Sequence, residues 1–425
     1  MLMFLVVTGC STREITGRVN GDVSSGVTIT LSGGKSASAT TDSSGNYSFA
    51  GLGKGSYTVT PSLAGYTFNP TSTTVSVVNS DDNQVANFTA TTGDTSSVSK
   101  FAYTANSVTN NISVYTINQT TGALTYVTSV AAGSHPVSVT VNPSGNFVYA
   151  ANEYSNTISV YTIDQSSGAL TAGTPVAAGL YPVSVTVDPS GKFAYAANNG
   201  DGTIWVYTIN QTTGALTAGT SVSAGSEPIS VTVDPSGKFA YAANNGDGTI
   251  WVYTINQTTG ALTAGTPVTA GLEPYSVTVD PSGKFAYAAN YGDGTIWVYT
   301  INQTTGALTA GTAVAAGLEP ISVTVDPSGK FAYAANEYSN TISVYTIDQS
   351  SGALTAGTTV AAGSEPVSVT VDPSGTFVYA ANYGDGTIWV YTINQTTGAL
   401  THVSTGSTGM SGVYPQCVTT TTGAI

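Results

Sequence analysis

Six residues recur every 46 positions, each directly before a proline: His135, Tyr181, Glu227, Glu273, Glu319 and Glu365. A seventh, Tyr414, follows after a three-residue insertion within 401–413. Four carboxylates at one spacing pose a definite chemical problem. Gathered around one opening, Glu227, Glu273, Glu319 and Glu365 repel one another, and a hard divalent cation such as calcium would relieve that repulsion. The plainer reading is a solvated acidic rim that keeps the protein soluble. His135 and His402 are the two histidines, and so the two side chains suited to general-base work near neutral pH.

The unit that must position these residues is clearest at 193–237, FAYAANNGDGTIWVYTINQTTGALTAGTSVSAGSEPISVTVDPSG. Its leading aromatic returns at Phe101, Phe147, Phe193, Phe239, Phe285, Phe331 and Phe377. A strand-rich unit of about 40 to 50 residues, repeated without gaps, predicts a propeller with one blade per repeat. Four strands are expected per unit, here 193–198, 203–210, 216–224 and 228–234, separated by Gly-Asp-Gly, Thr-Thr-Gly and Asp-Pro-Ser-Gly turns. No stretch keeps a helical period, so the fold class is all-β.

The repeats begin on a second strand and leave only six inner strands, starting at Pro136, Pro182, Pro228, Pro274, Pro320 and Pro366. Residues 414–421 (YPQCVTTT) are the expected seventh, closing the first blade and sealing the ring. An unsealed ring would expose unpaired strand edges.

This strand order places the residues before the inner-strand prolines on one face, near the channel mouth. Glu153, Asp201, Asp247, Asp293, Glu337 and Asp385 are expected on the same face, further out. Asn-Gly-Asp-Gly reads as turn chemistry, without the spacing or distal Glu of an EF-hand. The Asn-Gln-Thr triplets at Asn118, Asn210, Asn256, Asn302 and Asn394 also read as turns, although they fit the glycosylation pattern. Trp205, Trp251, Trp297 and Trp389 fall on third strands, where Ser159 and Ser343 replace Trp in two blades. Packing between blades is expected of them, ahead of stacking on sugars.

Composition excludes several classes. The net charge is −14 with 8% charged residues, and the arginines are Arg13 and Arg18 alone. There is no basic footprint for DNA or RNA. Cys10 and Cys417 are too few and too separated for a disulfide framework or a zinc site, and Cys417 reads as a small apolar residue. After the N-terminus, no segment is long and apolar enough to cross a bilayer.

Residues 1–10, MLMFLVVTGC, resemble the lipobox of prokaryotic lipoproteins, which implies lipidation at Cys10 and export. Read without that resemblance they are an apolar N-terminus and no more. The run TDSSGNYSFAGLGKGSYTVTPSLAGYTFNP at 41–70 resembles the carboxypeptidase-regulatory-like or prealbumin-like β-sandwich. A small sandwich is expected over 11–92 as a spacer, followed by a polar linker at 93–100. Strands are suggested there at 15–19, 27–31, 47–50, 57–61, 73–78 and 85–89.

From Phe101 onward the FAYAAN, TISVYTID, GALT and VSVTVDPSG segments resemble the YVTN-type seven-bladed propeller, the fold of the lactonase family that includes 6-phosphogluconolactonase. The resemblance covers 101–425 and implies fold more than function, because related propellers include surface components as well as hydrolases. A phosphorylated lactone calls for arginine, lysine or histidine at the channel mouth. The propeller has no arginine, and Lys192, Lys238, Lys284 and Lys330 are expected on the opposite face. The blades are near copies, whereas catalytic sites are locally unique. The expectation is therefore an exported, lipid-anchored envelope protein, monomeric, whose propeller binds an envelope protein or polysaccharide. A lactone hydrolase using His135 is the alternative.

Overall fold

The computed structural model describes residues 13–63, 66–78, 83–92, 100–407 and 413–421. Cys10 and most of the linker lie outside the described residues. The chain divides into two compact units, Met1–Ser97 and Val98–Ala424.

The first unit holds two sheets. One orders Asn46–Ala50, Glu14–Gly21, Phe88–Thr92 and Tyr66–Asn69, with Asn83–Val85 also paired to Glu14–Gly21. The other orders Ala37–Thr40, Thr28–Gly33, Gly55–Ser62 and Thr73–Val77. Alternation decides which side is buried: Ile29 and Leu31 on one strand, Tyr47 and Phe49 on another, join Ile15, Val19, Val59 and Phe88 in one core. Sequence reading missed Ala37–Thr40 and Tyr66–Asn69 and merged two strands into 85–89. The first of these is four residues of Ala, Ser and Thr, which carry little β-pattern.

The second unit is a ring of seven antiparallel sheets, each of four strands. In the third blade the inner-to-outer order is Pro182–Val187, Phe193–Asn198, Thr203–Ile209 and Leu216–Ser223. In the second, fourth and sixth blades the outer strand is broken in two, as at Leu170–Ala172 and Val176–Ala177. The second strand is buried along its whole length because both its faces meet other sheets. Its large and small residues take opposite sides. Phe193, Tyr195 and Ala197 share a core with Ala240 and Ala242 of the next blade. Ala194 and Ala196 share one with Phe147 and Tyr149 of the previous blade. Each blade thus offers a bulky face to a neighbour's face of small residues, a complementarity that packs the second strands closely.

Pro415–Thr420 pairs antiparallel with Phe101–Asn106, Ala102 opposite Thr420 and Ala105 opposite Cys417. The first blade therefore consists of Phe101–Asn106, Asn111–Ile117, Leu124–Ala131 and the C-terminal strand. The ring is closed as the sequence predicts.

Candidate ligand site at the channel mouth

Each inner strand carries a bulge after its first residue. Pro136 faces Asn152 and Ser138 faces Ala151, so Val137 has no partner on the neighbouring strand, and the same shift recurs at Val183, Ile229, Tyr275, Ile321 and Val367. Gln416 occupies the matching place on the closing strand. Bulges re-aim side chains. These seven residues, one per blade, line a cavity of about 460 Å³ at the mouth of the central channel. Five are Val or Ile. Tyr275 and Gln416 are the polar exceptions.

Above this ring stand His135, Glu153, Tyr291, Glu337 and Tyr383. Here the structure corrects the sequence reading. Of the residues placed at the mouth, only His135 lines the cavity. Glu153 and Glu337, placed further out, line it too.

The reason lies in the backbone. His135, Tyr181, Glu227, Glu273, Glu319 and Glu365 adopt left-handed conformations, with φ between 53° and 59°. Each of their carbonyls accepts the N–H of the residue following the buried second-strand Asn: Glu153, Asn199, Asn245, Tyr291, Glu337 and Tyr383 respectively. It is this latter position that meets the channel in four blades. Its signal in the sequence was variability, since near-identical blades carry Ser107, Glu153, Asn199, Asn245, Tyr291, Glu337 and Tyr383 there.

The four aspartates placed further out hold their loops together. Asp201 accepts the Leu180 N–H at 3.0 Å and the Thr203 hydroxyl at 2.6 Å, and Asp247, Asp293 and Asp385 repeat the arrangement. Glu227 and Glu365 are exposed, Glu273 and Glu319 half-buried. Among the described residues no three His, Cys, Asp or Glu side chains are arranged to share a metal ion.

Two halves of the mouth differ in chemistry. On one, the His135 Nδ1 lies 2.7 Å from Glu153 Oε2, and the Tyr154 ring stacks on the imidazole at 4.2 Å and 11°. A neutral imidazole donating from Nδ1 leaves Nε2 as an acceptor. On the other, the Tyr275 and Tyr291 rings lie 5.1 Å apart, and burial, followed by the neighbouring Glu319, pushes the Tyr291 phenol up. Burial pushes the Glu337 carboxyl up, and the charges of Glu319 and Glu365 push it the same way. Burial likewise raises Tyr275, helped by Glu337, Glu273 and Glu227. Tyr414 packs on Tyr383 at 5.1 Å between centroids. Tyr181 is 48% exposed outside the cavity.

Among the described residues no lysine or arginine lines the mouth. Lys192, Lys238, Lys284 and Lys330 end the Asp-Pro-Ser-Gly turns, which meet the Asn-Gln-Thr-Thr-Gly turns through bonds such as Gln211 Nε2 to the Gly191 carbonyl at 2.8 Å. His402 sits on the outermost strand of the seventh blade, its ring 4.2 Å from Trp389, and is excluded from the channel site. The four tryptophans are half-buried, each tilted against the tyrosine two residues on.

Known structures repeat this architecture. A presumptive 6-phosphogluconolactonase from Bacteroides fragilis superimposes with a TM-score of 0.69 at 23% identity, over 77% of this chain and 99% of that one. The periplasmic gluconolactonase of Pseudomonas aeruginosa gives 0.67 at 19% identity, over 76% and 99%. At these identities the likeness is one of fold. No curated protein matches the sequence. Residues 14–93 match the carboxypeptidase regulatory-like domain. Residues 64–187, 176–278, 273–371 and 362–419 match the lactonase seven-bladed β-propeller model, and by that match the chain belongs to the lactonase family of β-propellers.

Proposed function

We propose that the propeller is a carbohydrate-binding module of an exported, lipid-anchored envelope protein, and that it takes an uncharged or cationic sugar at the channel mouth. The observation that carries this reading is the lining of the cavity: Tyr275, Tyr291 and Tyr383 beside Glu153, Glu337 and Gln416, with no lysine or arginine. Aromatic faces suit the C–H faces of a pyranose, while carboxylates and a carboxamide accept its hydroxyls. The export and anchoring at Cys10 rest on the N-terminal sequence alone, and the sandwich serves as the spacer. A glycan array probed with the purified chain tests the site. Saturable binding lost in Tyr291→Ala and weakened in Glu337→Gln is expected. Binding untouched by both substitutions would sink the reading.

A second reading draws on the His135–Glu153 pair. With Nε2 free to take a proton, His135 activates a water against the carbonyl of a lactone, and the ring oxygen leaves as an alcohol. An uncharged lactone fits, whereas a phosphorylated one meets carboxylates and no counter-charge. Turnover of gluconolactone, lost in His135→Ala and reduced in Glu153→Gln, would favour the hydrolase. Binding without turnover favours the module.

A further inference from the structure

A second cavity, of about 330 Å³, opens between the first and second blades, away from the channel. Ala131 and Ala132 line it from the first blade, Ser159 and Tyr161 from the third strand of the second blade, and Gly173 and Pro175 from the lip where that blade's outer strand is broken. Its origin is legible by moving one repeat along the chain. Ala131, Ala132 and Tyr161 recur there as Ala177, Ala178 and Tyr207, but Ser159 becomes Trp205.

Trp205 is half-buried in the cluster that holds Val176 and Ala178, its ring 6.3 Å from that of Tyr207. Trp251, Trp297 and Trp389 are set against Tyr253, Tyr299 and Tyr391 in the same way. At four seams, therefore, an indole covers this wall. It is missing at the second blade and again at the sixth, where Ser343 stands and the outer strand breaks between Ala356 and Val360, but Thr359 replaces Pro175 there. The serine of the second blade is already satisfied, since Asn152 Nδ2 donates to Ser159 Oγ at 2.9 Å. The first blade also has a serine at this position, Ser113, but there Tyr126 packs on Tyr115 at 5.9 Å. The second blade has no such substitute, and its outer strand is interrupted at the lip, between Ala172 and Val176.

We propose that this cavity binds a small planar aromatic molecule of about indole size, seated where the tryptophan of a sister blade would lie and facing Tyr161. The volume falls at the lower end of ligand-binding pockets, and the walls are apolar enough to desolvate a ring. The seat is preformed, because the neighbouring seams show the same surface accepting an indole.

Indole itself is the probe, titrated into the full chain and followed by methyl NMR. Saturable shifts are expected at Ala131, Ala132 and Ala172. Ser159→Trp restores the residue that four sister blades carry and should abolish them. Ser159→Ala, which leaves the space open, should keep them, and so should Ser343→Trp in the sixth blade. An undiminished response in Ser159→Trp would overturn the proposal, as would wild-type shifts that map elsewhere or do not saturate. The wild-type map decides the matter by itself should Ser159→Trp fold poorly.

Discussion

The hydroxyl of Tyr379 donates to the carbonyl of Gly122 at 3.2 Å, joining residues 257 apart in sequence. Six other tyrosines make the same bond to the next blade, each across 65 residues, from Tyr103 to Gly168 through Tyr333 to Gly398. The seam between last and first blades is thus built like the others. It is also as tight: a Cβ on Gly122 would lie 2.5 Å from the Phe377 ring. Tyr379→Phe should cost about 1 kcal/mol in chemical denaturation, as should Tyr241→Phe. A silent Tyr379→Phe beside a costly Tyr241→Phe would show the seam to be open in solution.

A second set of bonds is incomplete at that seam. Tyr161, Tyr207, Tyr253, Tyr299, Tyr345 and Tyr391 donate to an outer-strand carbonyl of the preceding blade, at 2.8 to 3.3 Å. Their counterpart Tyr115 has a buried hydroxyl with no partner among the described residues. The carbonyl it would use belongs to the end of Leu400–Ser407, where the insertion begins. A buried donor left unpaired is a cost that a phenyl ring does not carry. Tyr115→Phe should therefore be neutral or stabilising, while Tyr253→Phe loses about 1 kcal/mol. Equal losses in the two variants would contradict this.

Inner strands are linked by a third repeated bond, in which a serine hydroxyl accepts the N–H of the next inner strand: Ser138 from Val185, Ser184 from Val231, and so on to Ser368 from Val418. Cys417 stands at the serine position of the closing strand. Its Sγ lies 3.7 Å from the Val139 carbonyl, and burial pushes its thiol pKa up. Cys417→Ser supplies the seventh hydroxyl, so an unchanged or higher melting temperature is expected. The native thiol should react slowly with a disulfide reagent at neutral pH and quickly once unfolded.

Two outer turns carry Asp where the others carry Asn. Asp164 accepts from the backbone and hydroxyls of Ser166 and Ser167, which hold its carboxyl at about 2, and Asp348 does the same with Ser350 and Ser351. Asn210 makes the same backbone bonds to Thr212 and Thr213 without titrating. A lowered folded pKa gives stability that is present above 3.8 and lost as pH falls through about 2. The double variant Asp164→Asn, Asp348→Asn should flatten the acid limb of the thermal midpoint in that window. An unaltered limb would assign acid sensitivity to other groups.

The period, the strand order and the closure were legible because repeats amplify weak local signals: a missing inner strand at one end and a spare one at the other admit few solutions. The channel lining was not legible to the same degree. Sequence offsets place Glu227 and its repeats beside the inner strand, but a left-handed residue followed by a bulge turns the next side chains instead, and neither feature has a composition of its own. Glutamate at positive φ is uncommon enough that nothing in Gly-Ser-Glu-Pro announces it. The broken outer strands escaped for a similar reason. Thr-Pro stands at the break in the second and fourth blades, but Thr358 and Thr359 stand there in the sixth.

Glu337 separates stability from binding. Burial, and then Glu319 and Glu365, raise its folded pKa above the 4.5 of a free carboxyl. The folded state therefore holds the proton more tightly than the unfolded chain, so this group adds stability as pH falls through its folded pKa and levels off below 4.5. Near neutral pH the ionised carboxylate is a liability to the fold. Glu337→Gln should raise the melting temperature at pH 7, with the advantage shrinking as pH falls toward 4.5. If the carboxylate is retained to accept sugar hydroxyls, the same substitution should weaken glycan binding at pH 7, a gain in stability set against a loss of function. A variant neither stabilised nor weakened in binding would remove Glu337 from the site.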